Sequence, residues 1–351
     1  MRLAFLTATP LNVAEGSGTF AGVSTLAEAL GALGVEVEIV APQSRLPVYT
    51  ARRLWFNEQL RGRRWDGFDA LAGFDMDGYR IAGRTGRPHV ASIKGILADE
   101  MRFERGLTRL SMSIQAACEA RHVRRADLVV TTSRYAAERL QQLYGISTAP
   151  AIVPELIDLE CWRKLFARNP AQPDPARFTV LSVCRFYPRK RLHLLLEAAA
   201  RLRAEIPGLQ VRIVGNGPQR ARLQALWREQ RLEGTVDWLG DLSQEELARE
   251  YNRSDVFCLP SVQEGFGIVF LEAMAAGKPI VAARAAAVPE VVEQGQLVEP
   301  ESAEALAAAI LRLYRETSLR VTLGAAGKER VARYDAPDVA RLFLSVVRGL
   351  L

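Results

Sequence analysis

Ser254-Asp-Val-Phe-Cys-Leu-Pro-Ser-Val-Gln-Glu264-Gly-Phe-Gly267-Ile-Val-Phe-Leu-Glu272-Ala-Met-Ala-Ala-Gly277-Lys-Pro-Ile-Val-Ala282 is the stretch that decides the fold. Val256 to Leu259 is a short apolar run closed by Pro260-Ser261, the pattern of a buried strand. A polar loop follows, and the spacing predicts a helix from Gly267 or Ile268. Gly277 stands where a C-cap glycine belongs, and Pro279 forbids any continuation. Ile280 to Ala283 then returns as a second buried strand. A strand-loop-helix-strand unit of this kind belongs to a parallel sheet.

Two carboxylates bracket the loop and helix, Glu264 and Glu272. At a rise of about 1.5 Å per helical residue they stand roughly 10 Å apart, which suits one ligand held at both ends. Between them the N–H groups of Gly265, Phe266 and Gly267 lie at a helix N-terminus that favours anions. The glycines let such a ligand approach the main chain. A polyhydroxylated, phosphate-bearing molecule such as a nucleotide-sugar matches both features.

Glu264-Gly-Phe-Gly followed by Glu272-Ala-Met-Ala-Ala-Gly-Lys-Pro-Ile-Val resembles the signature of the family-4 glycosyltransferases. The resemblance runs nearly end to end and is strongest from about Leu181 to Val292. It implies an α/β chain of GT-B type, two Rossmann-like domains with parallel sheets facing across a cleft. It also implies a retaining, nucleotide-sugar-dependent transferase. Glu264 would contact donor-sugar hydroxyls, Glu272 the nucleotide ribose, and Gly265, Phe266, Gly267 and Ile268 the donor.

Composition fits this reading. The chain has 351 residues, enough for two cores, with 49% hydrophobic and 25% charged residues. Its net charge of +6 is shared by both halves. Arginine clusters at Arg52-Arg53, Arg61 to Arg64 and Arg121 to Arg125 read first as solvated faces, and second as contacts to an acidic acceptor or an anionic membrane surface. No aromatic stacking pattern accompanies them, so nucleic acid is not an expected partner. Cys118, Cys161, Cys184 and Cys258 show neither zinc spacing nor a disulfide framework, and three histidines make no metal cluster. No run approaches the ~18 apolar residues of a membrane span. The expected location is cytoplasmic, with peripheral contact at the inner membrane face as a further expectation.

The sequence divides into an N-terminal Rossmann-like acceptor domain over 1–160, a linker over 161–177 with Pro170, Pro173 and Pro175, a donor domain over 178–335, and a C-terminal helix over 336–351 expected to pack back on the first domain. Leu3 to Ala8 reads as the first strand, followed by a glycine loop through Phe20, a helix to Leu33, and a strand over Val35–Val40. In relatives this loop approaches the donor diphosphate; Gly18 and Thr19 match that position, with Ser17 where a first glycine is usual. Pro42 to Asp66 reads as an extended loop or hairpin, either selecting the acceptor or merely covering it. Asp75-Met-Asp77 has the spacing of a metal pair but reads more simply as a turn. Relatives carry a histidine near the donor sugar where this chain has Lys94, and Asn-Gly where it has Glu155-Leu156. A lysine there supplies a cation for a leaving phosphate or an acidic acceptor.

After the strand Phe178 to Cys184, Arg185 and Lys190 match the two cations with which relatives grip the diphosphate. The expected catalytic set is therefore Glu264, Arg185 and Lys190, with no dedicated base. Charge developing on the departing phosphate would be met by Arg185, Lys190 and the loop N–H groups without a metal or other cofactor. The expected substrates are a UDP- or GDP-hexose and a glycan, lipid-linked or small-molecule hydroxyl. A sugar-nucleotide epimerase or phosphorylase of the same fold, a non-catalytic nucleotide-sugar-binding protein and a dinucleotide-dependent oxidoreductase are the rivals. The last is opposed by the placement of Gly16 eight residues after the first strand, where the fingerprint needs a tight turn.

Overall fold

Short apolar runs alternating with longer helical stretches give parallel sheets covered on both faces, and the chain builds two of them. The computed structural model describes residues 1–9, 13–43, 46 and 48–351, and for 13–17 and 20 the backbone alone. These residues form two units, Met1–Leu156 together with Ala336–Leu351, and Ile157–Asp335.

The first unit holds six parallel strands: β1 (Arg2–Leu6), β2 (Glu36–Val40), β3 (Ala70–Phe74), β4 (His89–Ile93), β5 (Leu128–Thr131) and β6 (Ala151–Ile152). Their order is β2-β1-β3-β4-β5-β6, so the chain reverses direction across the sheet between β1 and β3. Ligands of open α/β sheets settle beyond the carboxyl ends of the strands at such a reversal. The core is aromatic at its centre: Phe5 meets Phe74 edge-on at 5.1 Å, and Phe343 from the C-terminal helix at 6.0 Å. That helix, Ala336–Arg348, packs along Val13–Ala32 and buries Val339, Phe343 and Val347.

The second unit holds β7 (Phe178–Val183), β8 (Leu209–Val214), β9 (Val236–Gly240), β10 (Val256–Leu259), β11 (Ile280–Ala283) and β12 (Gln296–Val298). Their order is β12-β11-β10-β7-β8-β9, all parallel, with the reversal between β7 and β10. β7, β10 and β11 are buried along their whole length, which explains their mainly apolar sequences, broken only by Thr179 and Ser182 of β7.

Several sequence readings are corrected. The first helix begins at Val13, so Gly16 to Phe20 are helical rather than a loop. Glycine costs a helix about 1 kcal/mol, and the packed face formed by Val23, Leu26 and Leu30 outweighs it. Tyr49–Gln59 is a helix extended by a 3₁₀ turn over Leu60–Gly62, not a loop or hairpin. Its buried Arg53, Phe56, Asn57 and Leu60 recur at helical spacing, but two of them are polar and hid the pattern. Gly106–Val123 is a further helix, preceded by a short helix Leu97–Glu100 and a 3₁₀ turn over Met101–Phe103. Within 161–177, residues up to Arg168 complete a helix, Leu159–Arg168, capped by Asp158 and burying Trp162 and Leu165 in the second unit.

Candidate active site

The helix Ile268–Ala275 starts where the sequence placed it. Gly267 is its N-cap at φ +95°, a left-handed conformation that a side chain resists. A Cβ there would also lie 2.7 Å from the Phe270 ring. Phe266 is buried and meets Tyr334 edge-on at 5.4 Å, so the loop is pinned from both ends. The amides of Ile268 and Val269 open the helix and have no acceptor within it.

Glu264 lies midway along the loop that leaves β10, and its carboxylate receives Lys190 at 2.5 Å. The two side chains are 8% and 12% exposed, and the pair spans the reversal between β7 and β10. An ion pair taken this far from water is held in one geometry, because either charge alone would be costly there. The segment that carries Lys190 is itself fixed by the turn Gly215-Asn216-Gly217. Phe186 N–H donates to Asn216 O at 2.9 Å, and Gln219 N–H donates to Phe186 O at 3.0 Å. Glycine is needed at 215, where a Cβ would stand 2.1 Å from the Cys184 carbonyl oxygen. Lys190 closes a 3₁₀ turn over Pro188–Lys190, and Val262 N–H donates to Arg189 O at 2.9 Å, tying the two loops together.

Arg185 stands on the same β7 exit and is more open, its guanidinium 3.4 Å from Asp241 Oδ1. Burial pushes the neighbouring Cys184 thiol up to about 12, which removes it as a nucleophile. Glu272 lies in the second turn of the helix and accepts a hydrogen bond from the buried Tyr251 hydroxyl at 2.8 Å. Desolvation raises its pKa to about 7 despite that hydrogen bond, which acts in the opposite direction. Sequence reasoning missed Asp241 and Tyr251, which sit on other elements and share no motif with their partners. It also passed over Ser261 and Gln263, although both lie in the quoted stretch. Ser261 Oγ and Gln263 Oε1 are buried beside Glu264 without a hydrogen-bond partner. Buried polar atoms are seldom left this way, so both are candidates for a ligand contact.

Two family models match the chain: "Glycosyltransferase Family 4" over residues 16–161 and "Glycosyl transferases group 1" over residues 164–330. The chain belongs to glycosyltransferase family 4. It is 30% identical over 247 residues to the GDP-mannose-dependent alpha-(1-6)-phosphatidylinositol monomannoside mannosyltransferase of Mycobacterium tuberculosis, covering 64% of this chain and 62% of that protein. It is 30% identical over 242 residues to the glycogen synthase of the same species, covering 66% and 58%. The chain thus spans less than two thirds of the length of these curated relatives. Among solved structures, sucrose-phosphate synthase from Thermosynechococcus elongatus superposes with a TM-score of 0.84 at 24% identity, covering 99% of this chain and 98% of that one. Anabaena HepE in complex with UDP and glucose superposes with a TM-score of 0.75 at 19% identity over 100% of both chains. At these identities the likeness establishes the fold, which is of GT-B type.

In this family-4 chain, Lys190, Glu264, Gly265, Phe266, Gly267, Ile268, Glu272 and Arg185 are all carried by the second unit, in the segments that leave β7 and β10 and on the helix after β10. Gly18 and Thr19 belong to the first unit and fall in the second turn of a helix. Their amides lie past the free first turn, so the expected loop donation to a phosphate is not made by this backbone. The Ser17 side chain lies outside the described residues.

Lys94 follows β4 and is also engaged. Its ammonium sits 3.0 Å from Glu155 Oε2, with the side chains 7% and 6% exposed. The two departures from the family pattern are thus one buried ion pair. Asp75 accepts the amides of Lys94 at 2.9 Å and Gly95 at 3.4 Å. Asp77 is fully buried and accepts from Ala8 N–H at 2.7 Å, from Asn57 and from the Arg53 guanidinium. Both aspartates therefore organise the strand exits of the first unit, in keeping with the turn reading of Asp75-Met-Asp77. His89 is likewise structural, buried against His122 at 2.8 Å.

Proposed function

We propose that the chain is a retaining hexosyltransferase that moves a sugar from a UDP- or GDP-hexose to an acceptor hydroxyl without a metal. The Lys190–Glu264 pair at the strand reversal carries this reading. It presents a cation for the diphosphate and a carboxylate for sugar hydroxyls side by side, already desolvated.

Donor binding places the diphosphate against Arg185 and Lys190 and toward the amides of Ile268 and Val269. The phosphate competes with Glu264 for the Lys190 ammonium, which frees carboxylate lone pairs for the sugar. Glu272 binds the ribose. As the glycosidic bond lengthens, positive charge grows at the sugar and negative charge on the leaving phosphate. Arg185, Lys190 and the helix amides stabilise that phosphate in proportion to its charge, which is what lowers the barrier. The departing phosphate takes the acceptor proton on the same face, so retention needs no separate base. The acceptor is a sugar or a lipid-linked glycan, and the protein works in the cytoplasm at the inner membrane face. The relatives supply the analogy: one is named for a phosphatidylinositol mannoside acceptor, and the HepE complex contains UDP.

A thermal-shift panel with UDP, GDP, ADP and NAD tests the donor class. A nucleotide at a hundredfold excess over its dissociation constant stabilises the fold by about 2.7 kcal/mol. Transfer assays with the matching sugar donors follow, using wild type and Glu264→Gln. Loss of turnover by a factor on the order of 10² or more, with the nucleoside diphosphate still bound, is expected. Stabilisation by NAD alone would overturn the reading in favour of an oxidoreductase. Tight donor binding without transfer or donor hydrolysis would leave a sugar-nucleotide-binding protein.

A further inference from the structure

Among the described residues, the helix Gly106–Val123 of the first unit carries three large exposed apolar side chains close together in sequence. Leu107, Leu110 and Ile114 are 83%, 59% and 45% exposed. They follow one another at i, i+3 and i+7, so they form a stripe along one side of the helix Gly106–Val123. Val48 and Tyr49 are also exposed and immediately precede Thr50, whose hydroxyl lies 2.6 Å from Ser111 Oγ and accepts from Gln115 at 2.9 Å. The neighbouring helix end therefore borders the stripe. Soluble proteins rarely leave such a contiguous apolar face to water.

The charges that flank it are mostly basic, Glu104 just before Arg105 being the nearest acidic residue in sequence. Arg105 and Arg109 are exposed and have no acidic partner among the described residues, and Arg52 stacks on Tyr49 at 5.4 Å. Arg102, paired with Asp99 at 2.9 Å, stands just upstream. No acidic residue occurs between Arg105 and Cys118. Position adds to this. Gln115 receives Arg53 at 3.3 Å, and Arg53 holds Asp77 at the exit of β3. The stripe N-terminal to Gln115 therefore runs on past the carboxyl-end rim of the sheet, the rim that carries Asp75, Lys94 and Glu155.

We infer that this surface docks the protein on an anionic lipid interface, with Leu107, Leu110 and Ile114 entering the acyl boundary and Arg105 and Arg109 lying at the headgroups. An apolar stripe with a basic border is the arrangement that binds in the plane of a membrane. A second copy would match the apolar stripe but would bring two sets of arginines together. Only an anionic surface satisfies both halves of the pattern. The inference rests on the transferase reading in one respect only, that the acceptor is then a lipid-linked molecule delivered to this rim.

The test is co-sedimentation of the full chain with vesicles of phosphatidylcholine, alone or mixed with phosphatidylglycerol, alongside sedimentation velocity without lipid. Wild type is expected to pellet with the anionic vesicles and to be released by salt. Leu107→Ser/Leu110→Ser/Ile114→Ser should cut partitioning by a factor on the order of ten or more, and Arg105→Ala and Arg109→Ala by about fivefold each. All these side chains are exposed, so melting temperatures should hold; if the triple variant melts early, Leu107→Ser alone and the arginine variants carry the test. Absence of vesicle binding, binding that the substitutions leave unchanged, or lipid-free dimerisation abolished by the serine variant would each overturn the proposal. Vesicle binding needs no substrate, so a failure of sugar transfer beside intact binding sinks the transferase reading alone.

Discussion

Lys94 and Glu155 offer a quantitative test of how the first unit is held. Both side chains are more than nine-tenths buried and face each other at 3.0 Å. Replacing Lys94 by Met leaves a carboxylate in that site with its counter-charge gone, and Glu155→Leu leaves an ammonium. Breaking a buried pair from one side costs about 3–5 kcal/mol, whereas exchanging both partners for apolar groups of similar volume is often neutral. Each single variant should therefore melt well below wild type, by roughly 6–20 °C at about 2–4 °C per kcal/mol for a unit of this size. The double variant Lys94→Met/Glu155→Leu should return to within about 1–2 kcal/mol of wild type. Urea unfolding followed by circular dichroism gives the complete double-mutant cycle. Single losses below about 1 kcal/mol, or a double variant that merely sums the two, would refute the view that these positions form one compensated pair. A double variant that folds fully yet fails to transfer sugar would show that the Lys94 charge is also used in the reaction.

Three further predictions follow from the second unit. The Glu272 carboxyl has a folded pKa near 7, above the ordinary carboxylate value, so the folded state holds its proton more tightly. Stability from this group is present below the unfolded pKa and is lost as pH rises toward about 7, by about 3 kcal/mol in all. Glu272→Gln should erase that slope in urea titrations between pH 5 and pH 8, and identical slopes in both proteins would contradict it. Gly267→Ala should cost roughly 1–3 kcal/mol and weaken nucleotide binding in a thermal-shift assay, since the left-handed N-cap and the Phe270 ring both oppose a Cβ. An alanine variant as stable as wild type would mean that the helix start can shift. Arg185→Ala, removing a half-exposed cation, should leave the melting temperature nearly unchanged and lower kcat about 10²-fold. A loss confined to KM would assign Arg185 to ground-state binding instead.

Where residues adjacent in sequence were enough, the chain was legible. The strand, loop and helix around Glu264 and the returning strand at Ile280 follow from local pattern alone, and each is found. Strand order was not readable, because parallel strands are joined by helices and any of several orders satisfies the same apolar runs. Nor was the joining of Lys190 to Glu264, which are 74 positions apart. Lys94 and Glu155 were each visible as a departure from pattern, but their pairing needed the fold to bring the exits of β4 and β6 together. The helix Tyr49–Gln59 was lost for a different reason. Its inward face carries Arg53 and Asn57, whose burial is made tolerable only by Asp77, a residue no local window includes.

The end of the chain has a consequence for anyone who shortens it. Ile157 bridges Asp335 in parallel, with Ile157 N–H donating to Tyr334 O at 2.9 Å and Leu159 N–H to Asp335 Oδ1 at 3.2 Å. The second unit therefore enters and leaves through one stapled point and is, in topology, an insertion into the first. Its two ends are already neighbours, so a gene fragment encoding 157–335 holds a complete folding unit, suited to production alone or to circular permutation. The first unit has no such fragment. A stop codon after Asp335 would remove Phe343 and Val347 from the aromatic centre around Phe5, and so unfold the half of the protein synthesised first.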